Sequence, residues 1–230
     1  EQGNATVLGT NTTLNVTPTI TTTYEVTLTD SGIAPPGNTT TSTVTVVVVN
    51  TPEITTLADQ TVCDSYTLPA ITGTNLTGNE QYYTGPNGTG TIYAAGTTLN
   101  YADFGTYPVT LYMYDQTGTT PNCTEEESFQ LTINQTPTVN DNTDQFACDS
   151  YTLPAITGIN LTGNEQYYTG SGGTGTAYAA GTTLNFANFG AYPVTLYIYD
   201  QTGTTPNCFD EQDFQLTIYQ TPDVAALGNQ

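Results

Sequence analysis

Tyr107–Asp115 reads YPVTLYMYD, and the string returns as YPVTLYIYD at Tyr192–Asp200. Val109, Leu111 and Met113 alternate with Thr110, Tyr112 and Tyr114, the period-2 pattern of a strand with one face against a core. Just upstream stand Asp103-Phe104-Gly105-Thr106-Tyr107 and Asn188-Phe189-Gly190-Ala191-Tyr192. A turn residue, a Gly and then a Tyr entering a strong strand is the layout of a tyrosine corner. Thr is the most abundant residue, 53 of 230. Thr, Val and Tyr favour strands, while the frequent Gly, Asn and Pro mark turns. No stretch carries helical apolar periodicity. The chain reads as all-β, with tandem immunoglobulin-like β-sandwich domains in an elongated array.

Outward from these strands the identity continues. CDSYTLPAITG at Cys63–Gly73 returns at Cys148–Gly158, and NLTGNEQYYTG at Asn75–Gly85 returns at Asn160–Gly170. Thr51–Gln135 laid on Thr136–Gln220 without a gap gives 64 identities in 85 positions. A fixed period of that length marks an array of whole domains. The expected division is 1–50 as the C-terminal part of a different sandwich domain, 51–135 and 136–220 as two repeats, and 221–230 as the start of a third. Thr51-Pro52, Thr136-Pro137 and Thr221-Pro222 open the copies. In that register the third copy's first cysteine falls three residues beyond Gln230.

Composition excludes several function classes. Asp and Glu number 21, and Lys, Arg and His are absent. Without cations nothing can neutralise a phosphate backbone, so nucleic acid is excluded as a partner. Anionic lipid is excluded on the same ground. No Ser-His or Cys-His catalytic pair, imidazole metal ligand or Schiff base can form. Lys–Asn isopeptide cross-links are equally impossible. Apolar runs never approach the ~20 residues that span a bilayer, so no membrane insertion is expected in this segment.

Along the chain, strands are expected at 12–16, 22–30 and 42–49, with a Pro-rich loop at 32–38. The Val run at its end suggests burial on both faces or a covered edge. The alternative for 1–50 is a small independent three-stranded sheet. Within the first repeat the expected strands are 53–57, 65–71 (at an edge or bulge, because of Pro69), 81–84, a bent pair 91–95 and 97–100 around Gly96, 107–115 and 128–134. Seven or so short strands with turns between them suggest a sandwich.

The strings CDSYTLPAITG, YYTG, GTG, LYMYDQTGTTPNC and SFQLTI together resemble the repeats of giant SprB-type surface adhesins of gliding Bacteroidetes. TTTYEVTLTD and STVTVVVV are similar to the immunoglobulin-like or PKD-like modules of the same proteins. The resemblance covers nearly the whole chain. It implies export by the type IX secretion system, an extracellular, outer-membrane-associated location, and a part in adhesion and gliding motility.

Each repeat has two cysteines 60 residues apart, Cys63 and Cys123, then Cys148 and Cys208. Neither spacing suits zinc. In an exported module one bond within each repeat, Cys63–Cys123 and Cys148–Cys208, is the expected arrangement. Both cysteines of a repeat precede a strand, so the bond requires first and last strands that start at the same end, as a parallel pairing would give.

Acidic clusters follow the second cysteine: Glu125, Glu126 and Glu127, then Asp210, Glu211 and Asp213. With Asp115 and Asp200 they are candidate oxygen ligands for Ca²⁺, though no EF-hand or Asp-x-Asp-x-Asp loop is present. The competing reading is a solvated, self-repelling surface, and no cofactor is expected. Loop carboxylates without a cleft argue against a glycosidase dyad, and no enzymatic activity is expected. Tyr82, Tyr83, Tyr93, Tyr112 and Tyr114, with equivalents such as Tyr167 and Tyr168, either stack on sugar or cover sheet faces. Two functions from different classes follow: a structural stalk whose partners are neighbouring domains of the same chain, or carbohydrate-binding repeats that grip extracellular polysaccharide. Exposed, coplanar Tyr favours the second, and Tyr buried against the core favours the first.

Overall fold

A computed structural model describes residues 9, 13–29 and 39–224. The expected strand at 12–16 begins, and that at 22–30 ends, outside the described residues, as does the whole Pro-rich loop at 32–38. The chain divides into two compact units. One holds Ile71–Ile92 and Tyr112–Glu127 with the described residues before Leu57, and the other holds Leu57–Ala70, Tyr93–Leu111 and residues 128–224.

In the first unit, β1 (Thr22–Thr29) and β2 (Thr39–Val46) form an antiparallel pair. Residues 13–16 join no strand. Val26, Leu28 and Val44 remain exposed, and the Val run leaves the ladder after Val46, so the expected two-sided burial is not found among the described residues. Thr23 and Thr45 are instead joined through their hydroxyls across the pair (2.9 Å).

The first repeat then supplies β3 (Glu53–Ile54), β4 (Gln60–Cys63), β5 (Ser65–Thr67), β6 (Gly73–Thr74), β7 (Gln81–Gly85), β8 (Thr89–Tyr93), β9 (Thr98–Asn100), β10 (Val109–Gln116) and β11 (Thr124–Asn134). In the first unit β3 pairs with β6, and β7 with β10. In the second, β5 pairs with β9 and β4 runs parallel to β11.

The second repeat lies wholly in the second unit. Its strands are β12 (Thr138–Val139), β13 (Gln145–Cys148), β14 (Ser150–Thr152), β15 (Gly158–Ile159), β16 (Gln166–Gly170), β17 (Thr174–Tyr178), β18 (Thr183–Asn185), β19 (Val194–Gln201) and β20 (Phe209–Tyr219). A five-stranded sheet in the order β13-β20-β19-β16-β17 carries the fold, beside the two-stranded pairs β12-β15 and β14-β18. The core collects from both: Val139, Leu153 and Leu184 meet Tyr167, Leu196, Ile198, Phe214, Leu216 and Ile218. Gly158 has no alternative, because a Cβ there would drive into the Thr138 carbonyl oxygen of the paired strand. This is an all-β, immunoglobulin-like sandwich.

The tyrosine corner is present in both copies. Tyr192 Oη donates to the carbonyls of Asn185 (3.3 Å) and Phe186 (3.2 Å), and Tyr107 Oη to those of Asn100 and Tyr101.

Several boundaries differ from expectation. Strands β4 and β13 are not among the expected strands; QTVC and QFAC are four residues each, too short to show alternation. The strand expected at 65–71 ends at Thr67, before Pro69. The expected bent pair 91–95 and 97–100 is two strands in different sheets, since β9 pairs with β5, and in the second copy β17 pairs with β16 while β18 pairs with β14. Strands β11 and β20 begin earlier than expected and take in the acidic clusters.

Leu196 is fully buried in the second core. Leu196→Ala is expected to cost about 2–5 kcal/mol, read as a lower urea midpoint with an unchanged m-value.

Candidate functional site

Parallel pairing decides where the cysteines lie. In the second repeat Cys148 stands opposite Tyr219, the last residue of β20, whereas Cys208 precedes its first residue. Eleven residues of β20 at roughly 3.3 Å each separate them by on the order of 30 Å. A disulfide needs Cα atoms within roughly 7 Å. The register of the first repeat is the same, with Cys63 opposite Asn134 at the end of β11. The expected bonds Cys63–Cys123 and Cys148–Cys208 are therefore not formed. The bond is Cys63–Cys208, with Cα atoms 5.8 Å apart, and it joins one repeat to the next. Cys123 and Cys148 are free thiols. Each first cysteine does precede a strand, β5 or β14, but that strand pairs antiparallel with β9 or β18; the parallel partner of the last strand is β4 or β13, which the cysteine ends.

The same end of the first repeat holds the chain leading into the second. Asp64 follows Cys63 in the left-handed region (φ 62°), which Asp tolerates better than most residues. Its N–H donates to the Asn134 carbonyl (2.8 Å). Its carboxylate accepts from Thr136 N–H (2.8 Å) and Thr136 Oγ1 (2.7 Å). Asn134 Nδ2 reaches Thr204 Oγ1 of the second repeat (3.0 Å), in the turn before Cys208. Asp149 makes the equivalent clamp on Thr221, from N–H (2.7 Å) and Oγ1 (2.6 Å). Those two hydrogen bonds, the side-chain one first, hold the Asp149 carboxyl below its usual range, against a small opposing cost of burial.

The turn that delivers Cys208 is built from its own side chains. Asn207 Oδ1 accepts from Gly203 N–H (2.9 Å), and Thr202 Oγ1 accepts from Cys208 N–H (3.0 Å). Cys123 sits in the matching turn of the first repeat, its N–H on Thr117 Oγ1 (3.0 Å).

The acidic candidates are strand residues rather than loop residues, and hydrogen bonds employ most of them. Asp115 and Asp200 continue the inward faces of β10 and β19 and are buried. Asp200 accepts from Thr162 N–H (2.8 Å), Thr162 Oγ1 and Gln201 N–H (2.9 Å). Asp115 does the same with Thr77 and Gln116. Glu126 accepts from Asn87 N–H. Glu211 accepts from Ser171 Oγ (2.7 Å) and Gly172 N–H, and Asp210 from Val139 N–H (2.8 Å). Glu125 is half-buried on β11. Among the described residues no group of three or more His, Cys, Asp or Glu is arranged to hold a metal ion.

The Tyr candidates divide. Tyr82 and Tyr167 are fully buried, and Tyr167 Oη donates to the Pro154 carbonyl (3.1 Å). Tyr83 meets Tyr114, and Tyr168 meets Tyr199, edge to face at 5.9 Å. The backbone at Gly173 (φ +67°) lies so close to the Tyr199 ring that a Cβ would come within 2.9 Å of it. Tyr112 is half-buried. A groove of about 710 Å³ that the sequence reading missed lies on the second repeat, lined by Phe146, Phe186, Tyr192, Pro193, Tyr219 and others.

Neither a protein-family model nor a curated protein matches the chain. Among solved structures, human CDH23 EC21-23 is similar at a TM-score of 0.36 and 15% identity, covering 84% of this chain and 73% of that one. Protocadherin Gamma C5 EC1-3 is similar at 0.32 and 13%, covering 85% and 76%. Dpr11 IG1 bound to DIP-gamma IG+IG2 is similar at 0.29 and 11%, covering 74% and 100%. Likeness at this level carries no argument about what the chain does. No helix among the described residues is long and apolar enough to cross a membrane.

A carboxylate held low by hydrogen bonds contributes fully above its unfolded value, about 3.9 for Asp. That contribution is lost as pH falls through the lower folded value. The Asp149–Thr221 clamp is thus expected intact at neutral pH and released only in acid. A carboxyl NMR titration should place Asp149 below the ordinary Asp midpoint, and Thr221→Ala should move it back up.

Proposed function

We propose that these repeats are stalk units of a long secreted adhesin, of the SprB type that the repeat strings resemble. They space a binding region from the cell surface and serve adhesion and gliding. The observation that carries this reading is the junction: consecutive repeats are joined by a disulfide as well as by the main chain, with an Asp–Thr clamp at the crossover. A spacer has to transmit load between modules, and a second covalent link restricts hinging at the junction. An uninterrupted negative charge opposes collapse of such an array on itself. A disulfide suits display in an oxidising, extracellular setting. We assign the chain no reaction and no cofactor.

The alternative, polysaccharide-gripping repeats, has less support. Tyr82 and Tyr167 are withdrawn into the core. The groove beside Phe146 and Tyr219 recurs only in part: Phe186 and Tyr192 have Tyr101 and Tyr107 as first-repeat equivalents, but Phe146 and Tyr219 are replaced there by Thr61 and Asn134. A repeated gripping face would recur with the repeat.

Small-angle scattering tests the proposal. Two sandwiches of roughly 25–35 Å each should give a particle clearly longer than wide, at low and moderate salt alike. A compact, globular profile would overturn the stalk reading.

A further inference from the structure

The two free cysteines are not random leftovers of the pairing. Cys148 is the 85-residue equivalent of Cys63, and Cys123 is the equivalent of Cys208. The bonded pair is thus the first cysteine of one repeat and the second cysteine of the next.

Around Cys148 the junction is already laid out for the same event. Strand β13 ends at Cys148 opposite Tyr219, as β4 ends at Cys63 opposite Asn134. Asp149 adopts the conformation of Asp64 (φ 62° in both). It holds Thr221 as Asp64 holds Thr136, so the chain leaves the second repeat along the path by which it left the first. Cys148 is exposed, and Tyr219, 56% exposed, occupies the position through which Asn134 touches the following repeat. The occupant of this face is therefore a repeat joined after Thr221-Pro222, presenting the turn that carries its second cysteine.

We propose that the array is a covalent daisy chain, in which Cys148 is the acceptor for the second cysteine of a following repeat, just as Cys63 accepts Cys208. Closing the bond joins two thiol sulfurs, releases two protons and passes two electrons to a disulfide oxidant, which leaves as two thiols. Such a chain has a numerical signature. Every added repeat brings two cysteines and forms one new bridge between neighbours, so the number of free thiols does not grow. The inference goes beyond the stalk reading and does not need it, because its test reads bonds while that reading depends on extension.

The test extends the full chain by one further copy of 136–220, joined after Gln220, and oxidises it with oxidised glutathione. Thiol labelling and peptide mapping without reduction follow. The expected result is two free thiols, as in the parent chain, with Cys63–Cys208 retained and Cys148 bonded to the added repeat's copy of Cys208. Retention of Cys63–Cys208 shows in the same molecule that the first junction has folded. Four free thiols with that bond intact would overturn the proposal. No free thiols, with Cys148–Cys208 and a bond within each other repeat, would overturn it too. Cys148→Ser in the extended chain should leave Cys63–Cys208 in place and free the added second cysteine; a bond between that cysteine and Cys123 instead would contradict the assignment.

Discussion

The parallel ladder between the first long-sheet strand and the last, β13 with β20, sets the geometry of everything at the repeat boundary. Antiparallel pairing would have brought the two cysteines of one repeat toward the same end. Parallel pairing sends them to opposite poles, with one beside the exit of the chain and the other at the far end of β20. Neither can then meet its own repeat's partner, and each is positioned for a neighbour. In the chain-entropy account a bridge across 145 residues removes up to about 5 kcal/mol of unfolded-state freedom when both repeats unfold together. Its structural consequence is larger than that figure suggests, because it makes the junction a closed loop rather than a hinge.

A second constraint is the absence of any basic side chain. A carboxylate taken out of water has to be satisfied, and here no cation can do it. Neutral donors take the cation's place: backbone N–H groups and Thr hydroxyls. Asp115 and Asp200 tie the loop before β7 and β16 to the inner face of the sheet through Thr77 and Thr162. Asp64 and Asp149 use the same chemistry on Thr136 and Thr221, now between repeats. The abundance of Thr therefore serves more than strand propensity, since a Thr offers N–H and O–H together to both oxygens of one carboxylate.

The all-β fold was legible because β10 and β19 alternate cleanly and the Gly-to-Tyr turn precedes them. The repeat was legible from identity alone. What the sequence hides is local. Gln60–Cys63 and Gln145–Cys148 are four residues each, too short to show a period, and their strand character comes from pairing with residues 71 positions later. Cys63 and Cys148 do precede β5 and β14, but without β4 and β13 the strand that pairs with β11 or β20 is misidentified, and the cystine assignment follows that error. The acidic clusters look like loops in the sequence because charge runs are usually solvated. Residues such as Glu126 and Glu211 point their carboxylates at the N–H groups of the neighbouring hairpin turn, which no periodicity reports. The Tyr residues illustrate the same limit: composition marks them as notable, and only sheet register separates the fully buried Tyr82 and Tyr167 from the half-buried Tyr83, Tyr114 and Tyr168.

The central claim is that the covalent link runs between repeats. Peptide mapping of the unreduced chain, with free thiols alkylated before digestion, tests it most directly. The account predicts one cystine peptide, joining Cys63 to Cys208, with Cys123 and Cys148 alkylated. Cystine peptides joining Cys63 to Cys123 and Cys148 to Cys208 would contradict it, and with it the parallel register from which the junction is built.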